Sequence, residues 1–100
     1  MSRDRYPELL QFFGGYFHQD WDIEAATADG VLDIFNRTHS LDQRLRIADL
    51  IDTLTAEIHD DQLLEHTLFS ELGCDYLPEA DAMSVRSWLR YVSVRLREMN

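Results

Sequence analysis

"SLDQRLRIADLIDTLTAEIHD", residues 40–60, decides the fold. Its apolar residues Leu41, Leu45, Ile47, Leu50, Ile51, Leu54 and Ile58 recur at intervals of three and four rather than two, which is the period of a helix face. Ser40, followed three residues later by Gln43, matches a capping box, so the spacing predicts a helix from Leu41 to about His59. Asp60 then offers a side-chain oxygen to a following helix. In that helix Leu63, Leu64, Leu68 and Leu72 are expected inside, and Gly73 suits a left-handed stop. The two helices are expected to form a hairpin.

The same period extends in both directions. Upstream, Pro7 at a first helical position and the set Leu9, Leu10, Phe13 and Phe17 predict a helix over 7–17 whose end Gly14 and Gly15 weaken. Thr27 is a candidate cap for a second helix, Ala28 to about Arg37, with Val31, Leu32 and Phe35 inward. Downstream, Pro78 pushes Leu77 into extended backbone, so "CDYLPEADAM" (74–83) reads as a crossing loop. Ser84 caps a last helix with one stripe of Val85, Trp88, Leu89, Val92, Leu96 and Met99 and another of Arg86, Arg90 and Arg97. The expected fold is all-α: a single compact bundle of about five helices, one domain over residues 1–100.

Charge is distributed unevenly. Nineteen acidic residues against nine basic ones, all arginine, leave −10. Residues 18–81 carry sixteen Asp/Glu and only Arg37, Arg44 and Arg46, a net of −13, whereas residues 82–100 are positive. A surface of this kind repels phosphate backbones and anionic lipid, which argues against direct nucleic-acid or membrane binding. It favours a basic protein partner, although an acidic surface also serves solubility alone. No apolar run spans a bilayer and the start lacks a signal-peptide pattern, so the expected location is the cytoplasm. Cys74 is the only cysteine, which excludes an internal disulfide and a thiolate zinc cluster.

Catalytic and metal chemistry find little support. The stretch "GGYFHQDWD" (14–22) with Glu24 places carboxylates at alternate positions, but a calcium loop needs further oxygen ligands where Ile23, Ala25 and Ala26 stand. His59 and His66 lie seven apart, two turns of an ideal helix, yet Asp60 marks a break between them. A metal-dependent enzyme built on His18, His59 and His66 is thus a weak reading, and no cofactor or metal is expected. There is no G-x-S-x-G, and Cys74 beside Gly73 and Tyr76 reads as a small, half-buried hydrophobe rather than a nucleophile.

As a string, "YPELLQFFGGYFHQDWD" (6–22) resembles the N-terminal signature of the CdiI immunity proteins of contact-dependent growth inhibition systems. "TADGVLDIF" (27–35), "LGCDYLP" (72–78), with its Gly-x-x-Tyr-x-Pro pattern, and "SVRSWLRYVSVRL" (84–96) resemble later elements of that family. One departure is Gly30, where members usually carry a better helix former.

The resemblance implies a small helical inhibitor, not an enzyme. It would bind the toxic C-terminal domain of a cognate CdiA-type effector, in many cases a nuclease whose basic cleft an acidic surface can occupy. The class that competes with it is a small acidic helical adaptor or regulatory subunit binding a basic partner. For contact, the outward acids of the hairpin are expected: Asp42, Asp49, Asp52, Asp60, Asp61 and Glu65, with Asp22 and Glu24 as a second patch. Asp42, Asp49 and Asp52 are seven and three apart, which groups them on one helical side. Tyr16, Phe17 and Trp21 are expected to pack the first helix against the last near Trp88, and His18 and Asp20 to bond neighbouring backbone. Alternatively that stretch reaches the toxin.

Overall fold

The computed structural model describes residues 5–18 and 25–98. Among them are five α-helices and no strand. The first helix, α1 (Pro7–Tyr16), opens on a proline whose missing N–H has no intrahelical acceptor to lose. It runs through Gly14 and Gly15 instead of fading there. Gly14 meets the chain reversal at Gly73: a Cβ on Gly14 would stand 3.5 Å from the Leu72 carbonyl oxygen, and one on Gly73 3.5 Å from the Gly14 Cα. Gly73 takes the left-handed conformation expected of it, with φ +75°.

Thr27 caps α2 (Ala28–Thr38) by accepting from the Gly30 amide at 3.1 Å. Gly30 has a steric reason to lack a side chain, because a Cβ there would stand 3.0 Å from the Cβ of Ala25. The helix α3 (Leu41–Glu57) carries both halves of the capping box, the Gln43 amide to Ser40 Oγ and the Ser40 amide to Gln43 Oε1. It ends two residues before His59, because Ile58 turns extended and Asp60 is already committed to capping α4 (Asp61–His66).

The α-helical part of α4 is short, and a π-helical turn, Thr67–Glu71, follows it directly. Leu64, Leu68 and Leu72, four apart, are fully buried. Leu63 is 51% exposed, contrary to its expected place inside. Neighbouring residues on a helix point about 100° apart, so the stripe that contains Leu64 excludes Leu63. Leu77 is extended ahead of Pro78 as expected, but the crossing loop contains a 3-10 helix, Pro78–Asp81, closed by left-handed Ala82 (φ 61°). Ser84 caps α5 (Val85–Leu96) through the Ser87 amide.

The core is organised around α5. Val85, Trp88, Leu89, Val92 and Leu96 of its apolar stripe are buried, while Met99 lies outside the described residues. The helix packs against α2, α3, α4 and the 3-10 turn, most extensively against α3. The expected hairpin of α3 and α4 is therefore corrected: consecutive in sequence, they both lie on α5 rather than chiefly on each other. The Cα radius of gyration, 12.4 Å, is that of a compact chain of this length. No helix among the described residues is long and apolar enough to cross a membrane.

Two arginines bind α3 and α5 end to end. Arg86, at the start of α5, donates to the Thr55 and Ile58 carbonyls at the end of α3 (2.8 and 2.5 Å) and to Asp61 Oδ1 (2.8 Å). Arg44, at the start of α3 and buried, donates to the Leu96 and Glu98 carbonyls at the end of α5 (3.4 and 2.7 Å).

The aromatic part of the core joins α1 to α5. Trp88 is 1% exposed and meets Phe13, Phe17 and Tyr76 at ring-centre distances of 5.9, 5.2 and 4.9 Å. Phe17 thus packs as expected. Tyr16 does not: on the other side of α1 it meets Phe35 and His39 of α2 and its cap, at 5.0 and 5.9 Å. Gln19, Asp20 and Trp21 lie outside the described residues.

Trp88→Ala should cost about 3 to 5 kcal/mol, a large share of a typical 5–15 kcal/mol total, because no neighbouring side chain can fill the void left among three rings. Urea denaturation measures it, and an unchanged midpoint would refute the burial. Arg86→Met should lower stability by about 2 kcal/mol or more, since part-buried carbonyls lose a charged donor. Asp61→Asn, at a side chain 71% exposed, should cost under about 1 kcal/mol. Equal midpoints for these two variants would reduce Arg86 to a surface ion pair.

Candidate partner-binding surface

The acids expected to make contact fall into two groups. Asp42, Asp49 and Asp52 are all exposed on α3. Asp42 and Asp49 line one shallow cavity of about 270 Å³ with Leu45, Arg46 and Leu50, and Asp49 and Asp52 share a single arginine. Leu50 is half-buried at this edge rather than part of the closed core. The grouping expected from spacing is present. Asp60 and Asp61 sit at the junction of α3 and α4, where Asp60 accepts from the Gln62 and Leu63 amides as the cap of α4. Glu65 on α4 is half-buried. The arginines that mark these groups, Arg97 and Arg86, stand at opposite ends of α5, roughly 16 Å apart along the helix. Asp22 and Glu24 lie outside the described residues.

Sequence reasoning treated the arginine-bearing C-terminal helix as a separate positive end. In the structure three of them, Arg86, Arg95 and Arg97, lie against acids, while Arg90 is exposed. Arg97 Nη2 donates to Asp49 Oδ1 at 2.9 Å and to Asp52 Oδ2 at 2.5 Å. Arg86 holds Asp61. Arg95, only 16% exposed, engages Asp29 (2.9 Å), Asp33 and Glu98 (2.8 Å). On α1 and α3, Arg46 pairs with Glu8 and Arg5 with Glu57. The carboxyls of Glu8 and Glu57 are held below their ordinary range, chiefly by hydrogen bonds from Arg46 and Arg5 respectively. A signal was present in the sequence: Arg86 and Arg97 flank the apolar stripe of the last helix, where a long stem lies along a neighbouring helix while its head reaches that helix's polar edge.

A second acidic region escaped the sequence reading. The loop after the π turn presents Asp75 and Asp81 along one cavity, and Asp81 with Asp29, at the start of α2, along an adjoining one. Asp29 accepts from the Tyr91 hydroxyl at 2.6 Å, which, ahead of burial, raises the ionisation point of that phenol. Asp81 accepts from the Tyr76 hydroxyl; burial first, and then this bond, push Tyr76 upward.

Cys74 is buried rather than half-buried, and burial pushes its thiol up to about 12, so it remains protonated at neutral pH. His59 and His66 are both exposed. Among the described residues no three His, Cys, Asp or Glu side chains are grouped closely enough to hold a metal ion. What the molecule offers is a rigid surface carrying carboxylates, some paired and some open.

Comparison with known proteins agrees with the likeness read from the sequence. The family profile described as CdiI immunity protein matches residues 5–96. Among solved structures, the chain is similar to one in the crystal structure of the CdiA-CT/CdiI complex from Y. kristensenii 33638. That match has a TM-score of 0.87 and 27% identity, and it covers 96% of this chain and 97% of that one. No curated protein matches the chain.

Proposed function

The chain belongs to the CdiI immunity protein family, and from that premise we propose that it acts as a single cytoplasmic domain that binds and neutralises the toxic C-terminal domain of a cognate CdiA-type effector. The observation that carries the reading is the family match over residues 5–96, supported by the close fold likeness to a chain of a CdiA-CT/CdiI complex. The proposed partner surface is basic, as that of a nuclease is, because such an enzyme must attract phosphates that a −10 protein can replace. The proposed acidic contacts are Asp42, Asp49, Asp52, Asp60, Asp61 and Glu65, with Asp22 and Glu24 as a second patch.

Internal pairing modifies how these acids would act but not whether they do. Net charge counts every arginine, so the long-range field of a −10 molecule is the same whether or not Arg97 touches Asp49. Complementary fields can raise association to about 10⁸ to 10⁹ M⁻¹s⁻¹ at low salt. Held by arginine, Asp49 and Asp52 also lose less side-chain freedom when a partner docks. They keep unused lone pairs for it as well.

Co-expression with the toxin domain encoded beside the immunity gene should restore growth, and the purified pair should form a stable complex whose affinity falls steeply with added salt. Absence of any complex would end this reading. Changing Asp49 and Asp52 together to Asn takes the net charge from −10 to −8 and frees Arg97 to face the partner. Stopped-flow association should then slow and depend less on salt, while thermal stability moves by no more than about 1 kcal/mol. An unchanged on-rate would place the interface elsewhere.

A further inference from the structure

Asp49 and Asp52 are already held by Arg97, and steering fields alone do not make a long-lived complex. Tight interfaces depend on a few desolvated anchors, and exposed arginine–carboxylate pairs are poor ones. Three large apolar side chains are exposed among the described residues: Leu63, Leu77 and Val94. Leu77 stands between Asp75 and Glu79, neither of which makes an ion pair with another described residue, whereas Leu63, between Asp61 and Glu65, has one of its flanking acids held by Arg86.

Leu77 also borders a built concavity. A cavity of about 330 Å³ runs from Leu77 and Asp75 to Ala26 and Thr27, and a second, of about 370 Å³, adjoins it along Ala28, Tyr76 and Asp81. Their shared walls make one cleft between the start of α2, the 75–83 loop and α5. In the second cavity Tyr91 and Met83 are half-buried walls, and Tyr76 and Trp88, 4% and 1% exposed, form its closed floor. Asp81 has spent one oxygen on the Tyr76 hydroxyl and keeps acceptor capacity for a further donor.

The loop is pinned at its start and its end. The Asp75 amide donates to the Phe17 carbonyl at 2.7 Å, the Ala82 amide to Glu79 at 3.0 Å and the Met83 amide to Pro78 at 3.1 Å. Leu77 is therefore held outward at 59% exposure on ordered backbone, which lowers the ordering cost of docking there.

We infer that this cleft, with Leu77 at its edge, is the anchoring contact for the toxin domain and that it takes a lysine or arginine side chain from the toxin's contact surface. The methylene stem lies along Leu77, and the cationic head meets Asp75 and Asp81, which line the same cavity. A neutral apolar residue would leave those carboxylates desolvated without a partner, and an acidic one would be repelled, so charge complementarity selects the cation. The inference rests on the proposed immunity function and names the part of the surface that does the holding.

The test is dissociation kinetics of the full chain from the toxin domain encoded beside it. Leu77→Ala changes no charge, so a purely electrostatic role for this region predicts no effect. An anchoring role predicts an off-rate about tenfold higher, with on-rate and salt slope unchanged. Asp75→Asn should raise the off-rate as well. Val94→Ala, a control at a side chain equally exposed at 59% that lines neither cavity, should dissociate as the unaltered chain does. Leu77→Ala dissociating at the unaltered rate would overturn the inference while leaving the immunity function standing. Failure of the unaltered chain itself to bind would overturn both.

Discussion

The fold hangs on a reciprocal clasp in which each of two antiparallel helices caps the other's end with an arginine. The last carbonyls of an α-helix have no intrahelical donor, and they collect the negative end of its dipole. Arg86 from the first turn of α5 serves the end of α3, and Arg44 from the first turn of α3 serves the end of α5, with Asn36 Nδ2 adding a bond to the Arg95 carbonyl at 3.1 Å. A guanidinium suits the role because its planar fork addresses several acceptors at once and never loses its charge. The apolar stripe of α5 can then be buried against α3 without leaving either C-terminus unsatisfied. That makes α5 the axis on which α2, α3 and α4 are laid, with α1 against α3 and joined to α5 through Phe13 and Trp88.

The clasp also explains why the hairpin predicted from sequence is not the packing unit. Sequence order suggested that α3 and α4, joined by a short turn, would close on each other. Arg86 instead occupies the turn between them, bonding Ile58 on one side and Asp61 on the other, and α5 takes the place beside α3 that a hairpin partner would fill. Local signals were legible because they are local: the Ser40–Gln43 capping box, Thr27, Asp60 and Ser84 as caps, the Gly73 reversal, and the stripe from Val85 to Leu96. The π turn at Thr67–Glu71, the exposure of Leu63 and the outward turn of Tyr16 toward Phe35 and His39 were not. Each depends on which helix lies opposite, and periodicity alone carries no such information.

The candidate site divides along the same line. Spacing placed Asp42, Asp49 and Asp52 on one side of α3, and the structure keeps them there. Spacing could not say that Arg97 would lie across two of them, since those residues come together only when the last helix docks. The stretch Gly14–Asp22 resolves partly into core: Phe17 against Trp88, and Gly14 against Gly73. The carboxylates of the 75–83 loop are not legible in "CDYLPEADAM", because the bonds that fix this segment, from the Asp75 amide to Phe17 and from Tyr76 to Asp81, form only in the folded chain.

Attraction and retention make different demands on this surface. A field felt beyond about 10 Å depends on total charge and its broad distribution, so arginines folded back onto the acids of α3 lower local potential there without altering the sum elsewhere. Retention depends on what happens once water leaves. An Asp already bonded to arginine gains little from a second cation and must share its desolvation, whereas an open carboxylate beside apolar surface gains a partner it lacked. The pairing of Arg97, Arg86 and Arg95 therefore does more than stabilise helices. By occupying Asp49, Asp52 and Asp61 and the α2 acids Asp29 and Asp33, it leaves Asp75, on the loop after α4, as an open carboxylate lining a cavity with an exposed leucine.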